Sequence, residues 1–128
     1  MTSVEVPYSI AAALPTLSVL DITNEVAREV SATELESGIA FVSAGAGRSL
    51  VRINERESGF FRDLERLLER LVPGHVSERE GMLAFLLGPR TEQVPFAEGD
   101  LCLGRYQRIF LVGFGEEFAG DWTVTLVG

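Results

Sequence analysis

The hydrophobic and polar positions of this chain change their period along its length, and each period predicts a different element. From Ser58, apolar residues recur at steps of three and four while charged residues occupy the other side, which predicts an amphipathic helix. Pro73-Gly74 ends this helix, because proline has no N–H to donate and glycine tolerates the reversal. An earlier helix is predicted from a cap at Asp21 to about Ala32, with glutamates near its start, where the helix dipole favours them.

The remaining apolar segments are short or alternate in polarity, and these patterns predict strands. Two strands, at 38–43 and 48–55, are joined by Gly45-Ala46-Gly47 as a hairpin or crossed pair. In the second half, strands are predicted at 82–87, 92–96, 101–114 with a break at Gly104, and 122–127. The segments Glu98-Gly99-Asp100 and Ala119-Gly120-Asp121 are typical of turns in antiparallel hairpins. Two helices grouped among roughly seven or eight strands predict an antiparallel α+β fold rather than a doubly wound sheet.

Composition narrows the class of protein further. The chain has 128 residues, 46% of them hydrophobic, which is enough for one core, so residues 1–128 are expected to form a single domain. A single cysteine excludes an internal disulfide, as is usual in the reducing cytoplasm. The N-terminus has no basic region before an apolar stretch, and no window approaches the ~18 apolar residues of a membrane span. We therefore expect a soluble, cytoplasmic protein with no membrane partner.

Charge excludes further functions. The formal net charge is −8 and the pI is about 4.6, so long-range electrostatics repel phosphate backbones, and nucleic acid is not an expected partner. All 11 basic residues are arginine. The absence of lysine excludes a Schiff base, a lysine general base and the lysine of a phosphate-binding P-loop.

Few residues outside the strands carry recognisable chemistry. The glycine-containing stretch Ser43 to Ser49 lacks the Walker spacing and precedes a strand, so a turn is favoured over a nucleotide loop. His75 is the only histidine and is expected in an exposed loop, with a lone acid/base role as the alternative. Cys102 lies between two leucines and is predicted to be buried. Glu116-Glu117 is interpreted as a solvated turn rather than a magnesium site. We therefore predict no cofactor, metal ligands or catalytic residues.

The predicted strand at 48–55 is the most informative segment. Its period of two places Arg48, Leu50, Arg52 and Asn54 on one side. Two arginines and an amide on one face are suited to holding a small anion. The alternative is that these arginines pair with carboxylates of this acidic chain.

A series of short segments resembles the YjbQ-like family, whose members are described as secondary thiamine-phosphate synthases. The segments are Asp21-Ile22-Thr23, Glu25-Val26, Gly38, Ile53-Asn54-Glu55, Asp63-Leu64, Leu71-Val72-Pro73, Leu86-Leu87-Gly88-Pro89, Val94-Pro95, Leu103-Gly104, Gln107 and Ile109-Phe110-Leu111. Their order and spacing cover almost the whole chain. The resemblance implies an α+β fold with a curved, mostly antiparallel sheet or sandwich, usually assembled as a trimer with pockets near subunit boundaries.

The chain departs from the family at the positions that carry its chemistry. The family's site includes a His-Thr-Thr stretch ahead of the Asn-Glu pair, and this stretch falls here on Ala46-Gly47-Arg48. The family's longer, histidine-containing loop is shortened here to Gly74 through Leu86, where His75 stands alone. The aromatic residue before Gln107 is Tyr106 instead of tryptophan. These departures predict that the family's activity is lost.

Two hypotheses follow. In the first, the protein is a divergent YjbQ-like homo-oligomer, a trimer by resemblance, that binds or serves structurally without the family's catalysis. In the second, an arginine-rebuilt site binds a small phosphorylated ligand or supports a thiamine-phosphate-synthase-like reaction: Arg48 and Arg52 hold the anion, and Asn54, Gln107 and Glu55 orient it. Arginine is essentially never a base at neutral pH, so Glu55 or the lone histidine would have to move the proton. Arginines that converge with Gln107 on an open pocket would favour the second hypothesis. Arginines paired with carboxylates or lying apart would favour the first.

Overall fold

The computed structural model describes residues 10–45, 48–57, 59–115 and 120–128. Within these residues the chain forms eight strands and three helices. The strands are β1 (Ile10–Ala13), β2 (Leu17–Asp21), β3 (Ser37–Ala44), β4 (Ser49–Glu55), β5 (Thr91–Ala97), β6 (Asp100–Leu101), β7 (Gln107–Phe114) and β8 (Trp122–Val127). The helices are α1 (Thr23–Ala32), α2 (Phe60–Leu71) and α3 (Arg79–Leu87).

The strands form two four-stranded sheets in which every pairing is antiparallel. The first sheet has the order β1-β2-β7-β4, and the second has the order β6-β5-β3-β8. The antiparallel α+β fold predicted from the grouped elements is therefore confirmed, although the third helix was not expected.

The core between the sheets is built from the alternating positions of their central strands. Val51 on β4 and Ile109 and Leu111 on β7 meet Val42 on β3 and Val94 on β5. Period-two geometry sends every second side chain of a strand to the same face, which is why a sandwich needs this alternation. Helix α1 begins at Thr23 with Ile22 at the N-cap position, so the cap predicted at Asp21 is wrong by one residue. Asp21 ends β2 and accepts a hydrogen bond from the Thr23 N–H, and α1 buries two valines against both sheets.

The outer face of the first sheet is covered by α2 and α3. Leu50 on β4 and Phe110 on β7 pack there with Phe61 and Leu68 from α2 and Leu83 from α3. The prediction for α2 is confirmed, including its end before Pro73-Gly74, because the apolar stripe at helical spacing faces this sheet.

The strand predicted at 82–87 is wrong, because these residues belong to α3. A short apolar run has the same composition in a buried strand and in a buried helix, and periodicity alone does not separate them. Leu83 is fully buried on the first sheet, whereas Met82 and Phe85 are exposed, a pattern that only the packing of the helix reveals.

The hairpin alternative predicted for the strands on either side of Gly45 is wrong, and so is the hairpin predicted at Ala119-Gly120-Asp121, of which Ala119 lies outside the described residues. Strands β3 and β4 lie in different sheets, so the chain around Gly45 crosses between sheets, and residues 46–47 of the predicted turn lie outside the described residues. Strands β7 and β8 likewise lie in different sheets. The hairpin at Glu98-Gly99-Asp100 is confirmed by the pairing of β5 with β6. None of the helices in the described ranges is long and apolar enough to cross a membrane.

The predicted burial of Cys102 is wrong, because its side chain is exposed. The residue follows the end of β6, and its backbone N–H donates to the Pro95 carbonyl at 2.8 Å. The flanking leucines were a misleading signal because both are only partly buried.

Candidate functional site

Strand β4 places three of the predicted residues on one cavity. Leu50, Arg52 and Asn54 lie at alternate positions of the strand and all line a cavity of 390 Å³. The cavity lies between the outer face of the first sheet and the two helices that cover this face. The unbroken pairing of β4 with β7 keeps these three side chains on one side of the strand, as predicted, although Ile53 on the other side also borders the cavity.

The wall of this cavity is mostly apolar. From the sheet, Leu50, Phe110 and Val112 contribute to it. From the helices come Phe60, Phe61, Leu64, Leu86 and Leu87. Sequence reasoning missed Leu86 and Leu87 because it treated the segment at 82–87 as a strand. For α2 the apolar stripe was the available signal, since Phe60, Phe61 and Leu64 belong to it.

Arg52 is held at the edge of the cavity by the end of α3. Its Nη1 donates to the carbonyl oxygens of Leu87, at 3.5 Å, and Gly88, at 3.2 Å. Both acceptors are neutral, and among the described residues Arg52 forms no ion pair. The guanidinium group therefore keeps its Nε and Nη2 donors for other partners.

Arg48 does not join Arg52 at the cavity. Its Nη2 forms an ion pair with Glu78, in the loop before α3. Arg48 thus follows the interpretation in which an arginine pairs with a carboxylate of the chain, whereas Arg52 does not. The two arginines are not brought together as an anion clamp.

Gln107 and Glu55 also lie apart from the cavity. They face each other across β4 and β7 as register partners, on the opposite side of β4 from Arg52. The Gln107 side-chain oxygen accepts a hydrogen bond from the Gly104 N–H at 2.7 Å, which closes the turn before β7. Glu55 is exposed. The convergence of Arg48, Arg52 and Gln107 expected under the second hypothesis is not observed.

The buried carboxylate of Asp21 forms a cluster of charged groups that the sequence did not predict. Oδ2 of Asp21 accepts hydrogen bonds from Arg108 at 2.9 Å and from Arg56 at 3.3 Å. Oδ1 accepts from the N–H and the hydroxyl of Thr23, at 3.0 and 2.7 Å. Arg108 also donates to the Asn24 side chain at 3.3 Å. The sequence signalled only the helix cap, since the two arginines are 35 and 87 residues away.

The titration of Asp21 reflects two opposing effects. Burial by itself raises the pKa of the carboxyl group, but the hydrogen bonds from Arg108 and Thr23 and the charge of Arg108 outweigh it. The net result is a pKa below the ordinary value of 3.8. Asp21 is therefore an ionised structural centre that ties the start of α1 to β7 and to the segment after β4.

A second cavity, of 560 Å³, lies between β1 and the start of α2. Its lining includes Arg56, Glu57 and Arg62. Arg56 also donates to the Ile10 carbonyl at 3.0 Å, so it bridges this cavity and the Asp21 centre. A carboxylate accompanies the two arginines in this lining, so the cavity does not present a single sign of charge.

The other predicted candidates give no cluster of reactive groups in the described part of the chain. His75 is exposed in the loop between α2 and α3, as expected. Ala46-Gly47, at the position of the family's histidine, and Glu116-Glu117 lie outside the described residues. Within the described ranges, no group of three or more His, Cys, Asp or Glu side chains is arranged to hold a metal ion.

These features define a class: an antiparallel two-sheet α+β protein whose outer face is covered by two helices, with a mostly apolar cavity beneath them. The family model described as "UPF0047 protein YjbQ-like" matches residues 14–128. The chain belongs to this family.

Curated relatives agree with this assignment. A UPF0047 protein of Methanothermobacter thermautotrophicus is 31% identical over 103 residues, which are 73% of this chain and 71% of the relative. A UPF0047 protein of Archaeoglobus fulgidus is 33% identical over 107 residues, which are 77% of this chain and 82% of the relative.

Solved structures share the fold. An uncharacterised conserved protein of the YjbQ/UPF0047 family from Clostridium acetobutylicum gives a TM-score of 0.77 at 22% identity, covering 91% of this chain and 95% of that one. A hypothetical protein from Aeropyrum pernix gives 0.72 at 23% identity, covering 88% and 90%. A conserved hypothetical protein from Thermus thermophilus gives 0.71 at 19% identity, covering 92% and 97%.

Proposed function

We propose that this protein is a ligand-binding homo-oligomer that does not carry out the thiamine-phosphate synthesis implied for its family. One observation carries the proposal: the apolar cavity beside β4 opens next to an exposed apolar surface on the same two helices. We call this surface the apolar helix face; it comprises Phe60, Leu67, Leu71, Met82, Phe85 and Leu86, all exposed. Phe60 and Leu86 belong to both the face and the cavity wall.

The apolar helix face is unusual for a surface in water. Phe85 is 88% exposed, and further exposed apolar side chains lie on both helices, Met82 and Leu86 on α3 and Leu67 and Leu71 on α2. Isolated exposed apolar side chains are common, but six of them on the two helices that cover one sheet favour association with another protein surface. A second and third copy of this chain are the partners we propose, and a trimer is the state that the resemblance implies.

The proposed loss of the family's reaction has separate support. Alanine stands where the family's histidine is expected, and a methyl group neither transfers a proton nor binds a metal. Arg48, two positions later, is engaged by Glu78. A phosphate at this position would have to compete with that carboxylate for the guanidinium group.

The oligomer is tested by light scattering with sedimentation velocity on the full chain. We expect the wild-type mass to be three times the 14.0 kDa of one chain, and Phe85→Glu to shift the population towards smaller species. Tyr106→Glu is the matched control, because Tyr106 is 63% exposed and lies outside the apolar helix face. A wild-type monomer at tens of micromolar, or equal effects of the two substitutions, would contradict the proposal.

The catalytic part is tested by direct assay. We expect purified protein supplied with aminopyrimidine pyrophosphate and thiazole phosphate to form no thiamine phosphate above the uncatalysed background. Formation at the rate of an active member of the family, assayed in parallel, would refute this part and leave the oligomer unaffected.

A phosphorylated ligand is the second candidate, and the free donors of Arg52 are the observation that favours it. In this case phosphate-ester binding, measured by calorimetry, would fall in Arg52→Ala, and it would fall in Arg48→Ala as well if the ligand displaces Glu78 from Arg48. Unchanged binding in both variants would exclude the arginine-rebuilt site.

A further inference from the structure

We propose that the cavity beside β4 binds a small amphiphilic carboxylate, with the apolar part of the ligand between the helices and the sheet and its carboxylate on Arg52. The inference rests on the proposed ligand-binding function and names the chemical class of the ligand. It follows from the cavity wall, from the free donors of Arg52 and from the distribution of charge around them.

The cavity wall selects an apolar body. Leucine, phenylalanine and valine side chains from β4, β7 and both helices line most of it, and its 390 Å³ falls in the range of about 300–1,000 Å³ typical of small-molecule sites. Water in such a cavity finds few hydrogen-bond partners, so an apolar group that replaces it is favoured. A bare phosphate would leave this wall unused.

The polar groups select the head of the ligand. Among the described residues that line the cavity, only Arg52 and Asn54 carry polar side chains, and they follow each other on the same face of β4. Carbonyls at the end of α3 hold Nη1 of Arg52, which orients the guanidinium plane while Nε and Nη2 keep their hydrogens. These two nitrogens form the edge that pairs with both oxygens of a carboxylate. Asn54, two positions further on the same side of β4, adds an amide group to the same cavity.

The balance of charge favours a monoanion. In a chain of net charge −8, four other arginines in the described ranges are paired with carboxylates: Arg48, Arg56, Arg66 and Arg108. Arg52 has only neutral acceptors there, as do Arg79 and Arg90, but of these three only Arg52 borders the apolar cavity. A carboxylate neutralises the charge of Arg52 one to one. A doubly charged phosphate would be balanced by a second cation, and Arg48 does not line this cavity.

Isothermal titration calorimetry of the full chain at pH 7, with octanoate below its micelle concentration, tests the proposal. We expect saturable binding of one octanoate per chain. Two probes separate the parts of the ligand: octanol has the same body without the charge, and inorganic phosphate has charge without a body. Both probes are expected to bind at least ten-fold more weakly than octanoate. Octanol loses the charged hydrogen bonds to Arg52, and inorganic phosphate loses the apolar contacts with the cavity wall.

Two variants and a control locate the site. Arg52→Gln should lower the affinity for octanoate at least ten-fold, and Leu64→Trp should abolish binding by filling the cavity. Arg70→Gln removes an exposed arginine of α2 that does not line the cavity, and it should bind like wild type. Circular dichroism of each variant confirms that it is folded.

The outcomes separate this inference from the function on which it rests. Equal octanoate affinities of wild type and Arg52→Gln, or equal binding of octanol and octanoate, would overturn the role of Arg52. Absence of octanoate binding in wild type would overturn the carboxylate class. If another ligand found by a thermal-shift screen then lost binding in Leu64→Trp, the ligand-binding function would stand without this class. If the Leu64→Trp variant bound octanoate as wild type does, the cavity itself would be excluded.

Discussion

Replacing Asp21 with asparagine should destabilise the chain far more than the same change at an exposed aspartate. The Asp21 side chain is 2% exposed, and its Oδ2 receives two guanidinium groups. In Asp21→Asn, Oδ1 can still accept from the Thr23 N–H, but an amide NH₂ now stands where Oδ2 accepted from Arg56 and Arg108. Donors then face donors in a buried position.

The magnitude follows from the exposure of the partners. Removing one member of a fully buried ion pair costs about 3–5 kcal/mol, because the other charge is left without compensation. Here Arg56 and Arg108 are partly exposed and regain some hydration, so we expect a loss of about 2–3 kcal/mol, the range of hydrogen bonds to charged groups. For a chain of this length, that corresponds to a fall in Tm of roughly 6–15 °C.

The assay is urea unfolding followed by the fluorescence of Trp122, at one fixed protein concentration because association shifts apparent stability. Asp63→Asn is the matched control: its carboxylate is 77% exposed and pairs with Arg66 at 3.6 Å on α2. We expect it to lose less than about 1 kcal/mol. Equal losses in the two variants would refute the reasoning that burial gives the Asp21 pairs their weight.

The pH dependence supplies an independent check of sign. Because folding lowers the pKa of Asp21, the contribution of its ionised form is complete above the unfolded value near 3.8 and is lost as the pH falls below it, through the lower folded pKa. The difference in stability between wild type and Asp21→Asn should therefore be constant from pH 7 to about 5 and shrink below about pH 4. A difference that grows on acidification would show that the folded pKa is raised.

Two further substitutions probe positions where packing leaves no freedom. Gly38→Ala should lose about 1–3 kcal/mol of stability, because a Cβ there would lie 2.1 Å from a backbone carbonyl oxygen of β8. Gly74→Ala is the control and should change stability little, because a Cβ at Gly74 would have nothing within 4 Å. Similar urea midpoints for the two variants would exclude the clash. Glu65→Ala should lose about 1–3 kcal/mol of stability, because the buried carboxylate accepts a hydrogen bond from the Thr16 N–H at 3.0 Å. Glu69→Ala, at an exposed position of the same helix, is the control. Unchanged amide hydrogen exchange at Thr16 in Glu65→Ala would contradict this account.

Only part of the candidate site could be predicted from the local sequence pattern. The period of β4 correctly placed Leu50, Arg52 and Asn54 on one face, because side-chain direction in a strand depends only on position. The sequence could not predict which of the two arginines pairs with a carboxylate. Glu78, the partner of Arg48, is 30 residues away along the chain, and the carbonyl groups that bind Arg52 are 35 and 36 residues away.

The sequence by itself determined the amphipathic α2, the start of α1 to within two residues of Asp21, and most strands, including β8 at its observed bounds, because these depend on the spacing of neighbouring residues. Tertiary structure alone decided that 82–87 is helical, that β3 and β4 lie in different sheets, and that Arg108 meets Asp21 across 87 residues. The physical reason is that a short apolar run gains similar burial as helix or strand, so its form is settled by the surface against which it packs. The cavity exists for the same reason: it is the space left between one sheet and two helices, and no single segment encodes it.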